Sequence, residues 1–273
     1  MVDNIEQIEF WNSEVADVWV DQQQVMDATL QPISDILLHR AAGELNERAL
    51  DVGCGCGDTS LALSKLGLSV TGVDVSESML QHARSRVSEK ADLNFIKADA
   101  ATYQFNEPFD LLLSRFGIMF FDKPLAAFQN LRAAMKPEGR MSFVCWQSPK
   151  LNHWVSLPMM AVKDLLPEAE APDPLAPGPF AFADPERIRK TLSGASWKDI
   201  EIEDIRWSIK IGRNVDEAVQ FVLKIGPLAR ALRELPAHAT EEVQKRVRTT
   251  MENKAQSDGV LLEAASWLVS AKA

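Results

Sequence analysis

A chain of 273 residues with 46% hydrophobic and 25% charged side chains is long enough for one large domain or two small ones of ordinary composition. The 39 acidic against 29 basic residues leave a formal charge of -10, a surface that repels a phosphate backbone and argues against nucleic acid as a partner. No run approaches the roughly 20 apolar residues of a membrane span, and three cysteines are too few for a disulfide framework, so a cytoplasmic protein with no membrane partner is expected.

The start, MVDNIEQIEFW, is acidic and lacks the basic and apolar regions of a secretory leader. From Ser13 to Ala42 apolar residues recur at helical spacing, and Pro32 predicts a break into two helices. RALDVG then reads as a strand, residues 58 to 66 as a helix stopped by Gly67, and LSVTGVDV as a second strand. The same beat continues: a helix near 77 to 90, strands at LNFIKAD and FDLLLSR, a helix near 124 to 135, a turn at KPEGR and a strand at MSFVCW. Strands alternating with helices predict an α/β fold, a parallel sheet covered on both faces. After Trp146 the proline-rich stretches cannot form a central strand and predict an inserted lid. A strand at DIEIEDIRWSIKI, a helical stretch from about 214 to 256 and a last strand at SWLVSAKA follow.

The chemistry concentrates in the turn after the first strand, Asp51-Val52-Gly53-Cys54-Gly55-Cys56-Gly57. Alternate glycines permit positive φ and let backbone N–H groups approach a ligand. Asp74 ends the second strand, where a carboxylate accepts hydrogen bonds from ribose hydroxyls, so the pattern predicts a bound nucleoside. A dinucleotide fingerprint requires glycine at the sixth position from Gly53, which is Asp58, a carboxylate where pyrophosphate would lie; this argues against NAD. The Tyr-x-x-x-Lys pair of short-chain dehydrogenases is also missing, since the only tyrosine, Tyr103, is followed four residues on by Glu107.

With Asp51, Gly53, Gly55 and Gly57 in place, the chain resembles the class I S-adenosylmethionine-dependent methyltransferases over about residues 46 to 146 plus the last strand, and is similar to the small-molecule type that acts in ubiquinone and menaquinone biosynthesis. Asp74-Val75, Asp99-Ala100, and FDLLLSRFGIMFF followed by LRAAMKPEGR carry the resemblance further. Glu138 departs from the family's usual glycine in that last turn. The resemblance implies a Rossmann-like, doubly wound sheet of seven strands with the last antiparallel. It implies S-adenosyl-L-methionine as cofactor, leaving as S-adenosyl-L-homocysteine, with Trp19, Cys54, Met79, Ser114 and Arg115 joining the motif residues around it. The expected organisation is one domain, 1 to 273: an N-terminal helical cap (1–45), a cofactor-binding core (46–146), a lid (147–195) and C-terminal strands and helices (196–273).

Cys54 and Cys56 alternate with the glycines, but no histidine spacing completes a tetrahedral zinc set, so no metal is expected. Methyl transfer is an in-line displacement in which the cofactor is the electrophile, and a base is needed only for an oxygen or protonated nitrogen acceptor. His153 follows the fifth strand and is the expected base. Arg115 either holds an acidic substrate group or pairs with a carboxylate such as Asp122. Trp11, Phe116, Phe120, Trp146, His153 and Trp154 are the expected walls of a pocket for a small, apolar or aromatic methyl acceptor. Two other readings stand beside this one: a non-catalytic cofactor-binding protein, and a macromolecular methyltransferase, against which Ser114-Arg115-Phe116-Gly117 replaces the Asn/Asp-Pro-Pro-Tyr motif. The 214 to 256 stretch could close the pocket or make a homodimer contact.

Overall fold

The computed structural model describes residues 4–89, 91–167, 173–233 and 237–273. Chain contacts divide it into two compact units: Met1–Trp146, Pro174–Asp204 and Trp267–Ala273 form the first, and Gln147–Asp173 with Ile205–Ser266 the second. The expected lid at 147–195 is therefore shared between them. The proline-rich stretch and the 214–256 run include residues 168–172 and 234–236, and the helix expected to reach 90 ends on one more such residue; all lie outside the described residues.

The first unit opens with three helices, α1 (Ile5–Trp11), α2 (Glu14–Asp21) and α3 (Gln23–Ala41). Pro32 sits inside α3 and does not break it. Pro32 faces solvent, where water can satisfy the carbonyl it leaves without a donor, while Met26, Leu30, Ile33 and Leu37 are buried on the other side. Burial of four such side chains, about 1.5–3 kcal/mol each, outweighs the roughly 3 kcal/mol cost of an interior proline. The chain breaks instead at Gln22, between α2 and α3.

Five strands and their crossover helices follow: β1 (Arg48–Val52), α4 (Asp58–Lys65), β2 (Ser69–Asp74), α5 (Glu77–Ser85), β3 (Leu93–Lys97), β4 (Phe109–Arg115), α6 (Pro124–Ala133) and β5 (Met135–Trp146). β1 pairs in parallel with β2 and with β4, and β2 with β3. The KPEGR segment is not a turn ahead of β5 but lies within it. Met135 already pairs with Phe109, the register then slips, and the ladder resumes at Leu111 and Arg140.

Beyond β5 come α7 (His153–Ala161), α8 (Pro185–Gly194), β6 (Lys198–Gly212), α9 (Val215–Lys224), α10 (Pro227–Leu232), α11 (Ala237–Glu252), β7 (Ala255–Gln256) and β8 (Gly259–Lys272). The sheet's path holds the expected seven strands, in the order β3-β2-β1-β4-β5-β8-β6, with the two-residue β7 paired to β8 as an eighth, and its last strand is antiparallel. This is the doubly wound arrangement. β8 begins seven residues before the expected SWLVSAKA, because its first residues pair with β7. The core of the first unit is formed by Leu50, Leu111, Leu112, Leu113, Phe128, Phe143 and Phe182, all fully buried.

In the second unit the expected helical run is three helices followed by a strand. Asn214 caps α9, its Oδ1 accepting from the Glu217 N–H at 2.9 Å. Buried Asn152 ties that unit together: its Nδ2 donates to the Gln147 and Ala265 carbonyls and its Oδ1 accepts from the Ala265 N–H. Among the described residues no helix is long and apolar enough to cross a membrane.

Candidate functional site

The strand order reverses at β1 and β4, whose carboxyl ends lie side by side. Ser114 locks them together: its buried hydroxyl donates to the Val52 carbonyl at 2.7 Å and accepts from the Gly117 N–H at 3.3 Å. Ser114 is thus occupied with backbone.

The turn after β1 has Gly53, Gly55 and Gly57 at φ of 67°, 52° and 83°, where a side chain is strained. The Gly53 and Cys54 N–H groups both donate to the Val73 carbonyl, holding the loop against the end of β2. At Gly53 a Cβ would stand 2.6 Å from the Gly117 Cα, and at Gly57 it would stand 2.8 Å from the Phe95 ring. Gly55 differs, because the nearest atom to its absent Cβ is Met79 Sδ at 3.7 Å. Gly53 and Gly57 are small because protein abuts them; Gly55 faces space that a ligand can use.

Asp74 lies across that space, its Oδ2 accepting from the Gly55 N–H at 2.8 Å and its Oδ1 from the Ser76 N–H at 2.9 Å. Burial raises its proton affinity and the backbone donors at Ser76, Gly55 and Val75 oppose the rise. With three backbone donors on its two oxygens, the carboxylate keeps acceptor capacity for a further donor. The Val75 carbonyl accepts from Asn12 Nδ2 at 3.0 Å, and Asn12 Oδ1 accepts from the Glu77 N–H, fastening the α1–α2 turn onto the loop that follows β2. Asp99 Oδ1 accepts from the Ala101 N–H at 3.0 Å, and Asn130 Nδ2 holds the Ala100 carbonyl. Neither Asn12 nor Asn130 carries a motif signal; Asn12 meets partners 63 and 65 residues away in the chain.

Asp51 is fully buried at the base of the loop, where its Oδ2 accepts from Thr59 and Ser60 and its Oδ1 has no hydrogen-bond partner among the described residues. Burial pushes its carboxyl up to about 6, against the Ser60 and Thr59 hydroxyls and the Arg115 charge. An acid whose folded value is raised holds its proton more tightly when folded, so its burial costs stability increasingly as pH rises from about 4 to about 6 and the full cost remains above that. Asp51→Asn, neutral throughout, should therefore gain on the parent by on the order of 1 kcal/mol between pH 5 and pH 7 in urea unfolding. An equal stability gap at the two pH values contradicts this.

Cys54 packs with Leu80, Ala83 and Phe95, while Cys56 packs with Ala16 and Met79, so the two thiols sit in different apolar clusters. Burial raises both, Cys56 to about 12, which leaves neither ionised near neutral pH.

Arg115, at the end of β4, does not pair with Asp122. Its Nη1 donates to Asp58 Oδ2 at 2.6 Å and to Ser34 Oγ at 2.7 Å, and the side chain is 13% exposed. Asp58, the first residue of α4, thereby fills the place where a dinucleotide's pyrophosphate would need an open helix N-terminus.

Phe116 adopts φ of 63°, a left-handed conformation that costs a bulky residue about 1–3 kcal/mol and marks a constrained position. Its ring stacks on Trp146, with centroids 4.1 Å apart and planes 7° from parallel. Trp11 meets Trp19 and Phe120 edge to face at 5.9 and 5.1 Å, and Trp11 and Trp19 pack against the Cys56–Met79 cluster. Loop, acids and these aromatic residues are thus all brought into the first unit. His153 and Trp154 belong to the second. There Trp154 is buried, donates to Asn152 Oδ1 and packs against Gly226, and His153 Nδ1 lies 3.6 Å from Glu263 Oε2.

Residues 49–139 match the family model of a methyltransferase domain. The demethylmenaquinone methyltransferase of Clavibacter sepedonicus is 29% identical over 164 residues, 57% of this chain and 67% of that protein. The trans-aconitate 2-methyltransferase of Rhizobium rhizogenes is 33% identical over 115 residues, 41% of this chain and 43% of that protein. Several curated relatives are matched over about half their length. Among solved structures, phosphoethanolamine N-methyltransferase 2 of Haemonchus contortus, in complex with S-adenosyl-L-methionine, superimposes with a TM-score of 0.54 at 20% identity, covering 88% of this chain and 52% of that one.

Proposed function

We propose that this chain, whose residues 49–139 match the model of a methyltransferase domain, is a class I S-adenosylmethionine-dependent methyltransferase that methylates a small, planar and largely apolar acceptor. The observation that carries the cofactor is the open space at Gly55, with the Asp74 carboxylate bonded to the Gly55 N–H beside it. The residues fit the group: Asp74 would receive the ribose hydroxyls, Asp99 and Ala100 would stand by the adenine, and the loop at Gly55 would take the amino-acid end.

When bound, the cofactor supplies a sulfonium methyl group as electrophile. The chain's part is orientation, which can lower such a barrier by about 7–11 kcal/mol. A base would be needed only where the acceptor is a hydroxyl or ammonium.

The apolar acceptor is favoured by charge. A tricarboxylate such as trans-aconitate needs free cations, whereas Arg115 is spent on Asp58 and Arg86 on Asp27. The partly exposed Phe116 ring, backed by buried Trp146, instead offers a flat apolar surface. Labelled methyl transfer should therefore proceed to a quinol-type acceptor and not to trans-aconitate, and Phe116→Ala should raise the acceptor KM by about 10-fold without changing cofactor affinity. Methylation of trans-aconitate alone overturns the acceptor class, and cofactor binding with no transfer to any acceptor returns the non-catalytic reading.

A further inference from the structure

Arg86 follows α5 directly and stands outside every motif of the sequence, yet its guanidinium reaches the glycine loop. Nη1 donates to the Cys56 carbonyl at 2.7 Å, and Nη2 donates to Asp27 Oδ2 in α3 at 2.7 Å. Nη2 also lies 3.9 Å from Asp58 Oδ1, and Asp58 in turn takes Arg115. Acid and base therefore alternate, Asp27–Arg86–Asp58–Arg115, under the loop, with every side chain at most 25% exposed. Charged hydrogen bonds removed from water in this way are stronger than surface pairs and fix geometry.

The Cys56 carbonyl belongs to the peptide plane that leads into Gly57, whose φ of 83° turns the loop into α4. A charged donor on that carbonyl fixes the plane, and with it the direction in which the loop presents its backbone next to Gly55. Arg86 can do this only if its planar fork is held from the other side, which Asp27 does; the two are 59 residues apart and join α3 to the loop. Lysine, with a single ammonium, cannot span the carbonyl and the carboxylate in the same fork.

We propose that Arg86 is a positioning residue for the cofactor loop and that Asp27 acts through it, so that α3 sets cofactor affinity. This rests on the loop being the S-adenosylmethionine site. The test is calorimetric titration with S-adenosylhomocysteine of the full chain and of Arg86→Gln, Arg86→Lys, Asp27→Asn and the Asp27→Asn/Arg86→Gln double variant, with KM and kcat for methyl transfer alongside. Arg86→Gln should weaken binding by at least 10-fold and raise the cofactor KM at unchanged kcat. Arg86→Lys should not rescue it, Asp27→Asn should give a smaller loss, and the double variant should be no worse than Arg86→Gln alone. Should Arg86→Gln fail to fold, Asp27→Asn carries the same test by its KM-against-kcat split. Parental affinity in either single variant, additive losses in the double variant, or a fall in kcat at constant KM overturns the proposal while leaving the cofactor reading intact. No binding by the unaltered chain overturns the cofactor reading and the proposal with it.

Discussion

Asp74→Ala is expected to reduce affinity for S-adenosylhomocysteine about 100-fold or more while the fold persists. The carboxylate makes two charge-assisted bonds, to Gly55 N–H and Ser76 N–H, and in the proposed complex would add those from the ribose hydroxyls. Hydrogen bonds to charged groups contribute about 1.5–3 kcal/mol each, so losing the ribose pair alone reaches that range. Fold stability is cushioned, because the variant also removes a carboxyl whose burial is unfavourable. Titration calorimetry reads the affinity and thermal unfolding the fold; unchanged affinity would remove Asp74 from the cofactor site.

The second large effect separates two neighbouring glycines that look alike in sequence. Gly53→Ala puts a methyl group 2.6 Å from the Gly117 Cα, backbone against backbone, at a φ that alanine resists. Neither strand end can yield, since Ser114 ties Val52 to Gly117, so this variant should lose several kcal/mol or fail to fold. Gly55→Ala meets only Met79 Sδ at 3.7 Å and pays chiefly the strain of its φ, about 1–2 kcal/mol. It should fold, melt a few degrees lower, and bind cofactor at least 10-fold more weakly, because the methyl group would enter the space proposed for the ligand. Equal stability losses in both variants would contradict this division of roles.

What the sequence made legible was local. β4 occupies FDLLLSR from end to end, and the Gly53–Gly57 turn sits where β1 gives way to α4, because short apolar runs ending in glycine encode both within a few residues. Pro32 misled because local propensity yields to the burial of Met26, Leu30, Ile33 and Leu37 on one face of α3. The two-unit division was not legible either, since β6, which crosses it between Asp204 and Ile205, read as one continuous strand pattern. At the candidate site, spacing placed Asp51, the glycines and Asp74 around one loop, but gave no sign of Asn12, Arg86 or Asn130, whose side chains act across 26 to 65 residues of chain. Arg115 showed its position in sequence and not its partner, because Asp58 and Ser34 are adjacent to it only after folding.

The most direct measurement is calorimetric titration of the purified chain with S-adenosylhomocysteine and, separately, with NAD. Saturable one-to-one binding of S-adenosylhomocysteine, with none of NAD, is the result expected from an open Gly55, an Asp74 proposed to take the ribose and an Asp58 paired with Arg115 at the α4 N-terminus. Binding of NAD alone, or of neither compound, would contradict it.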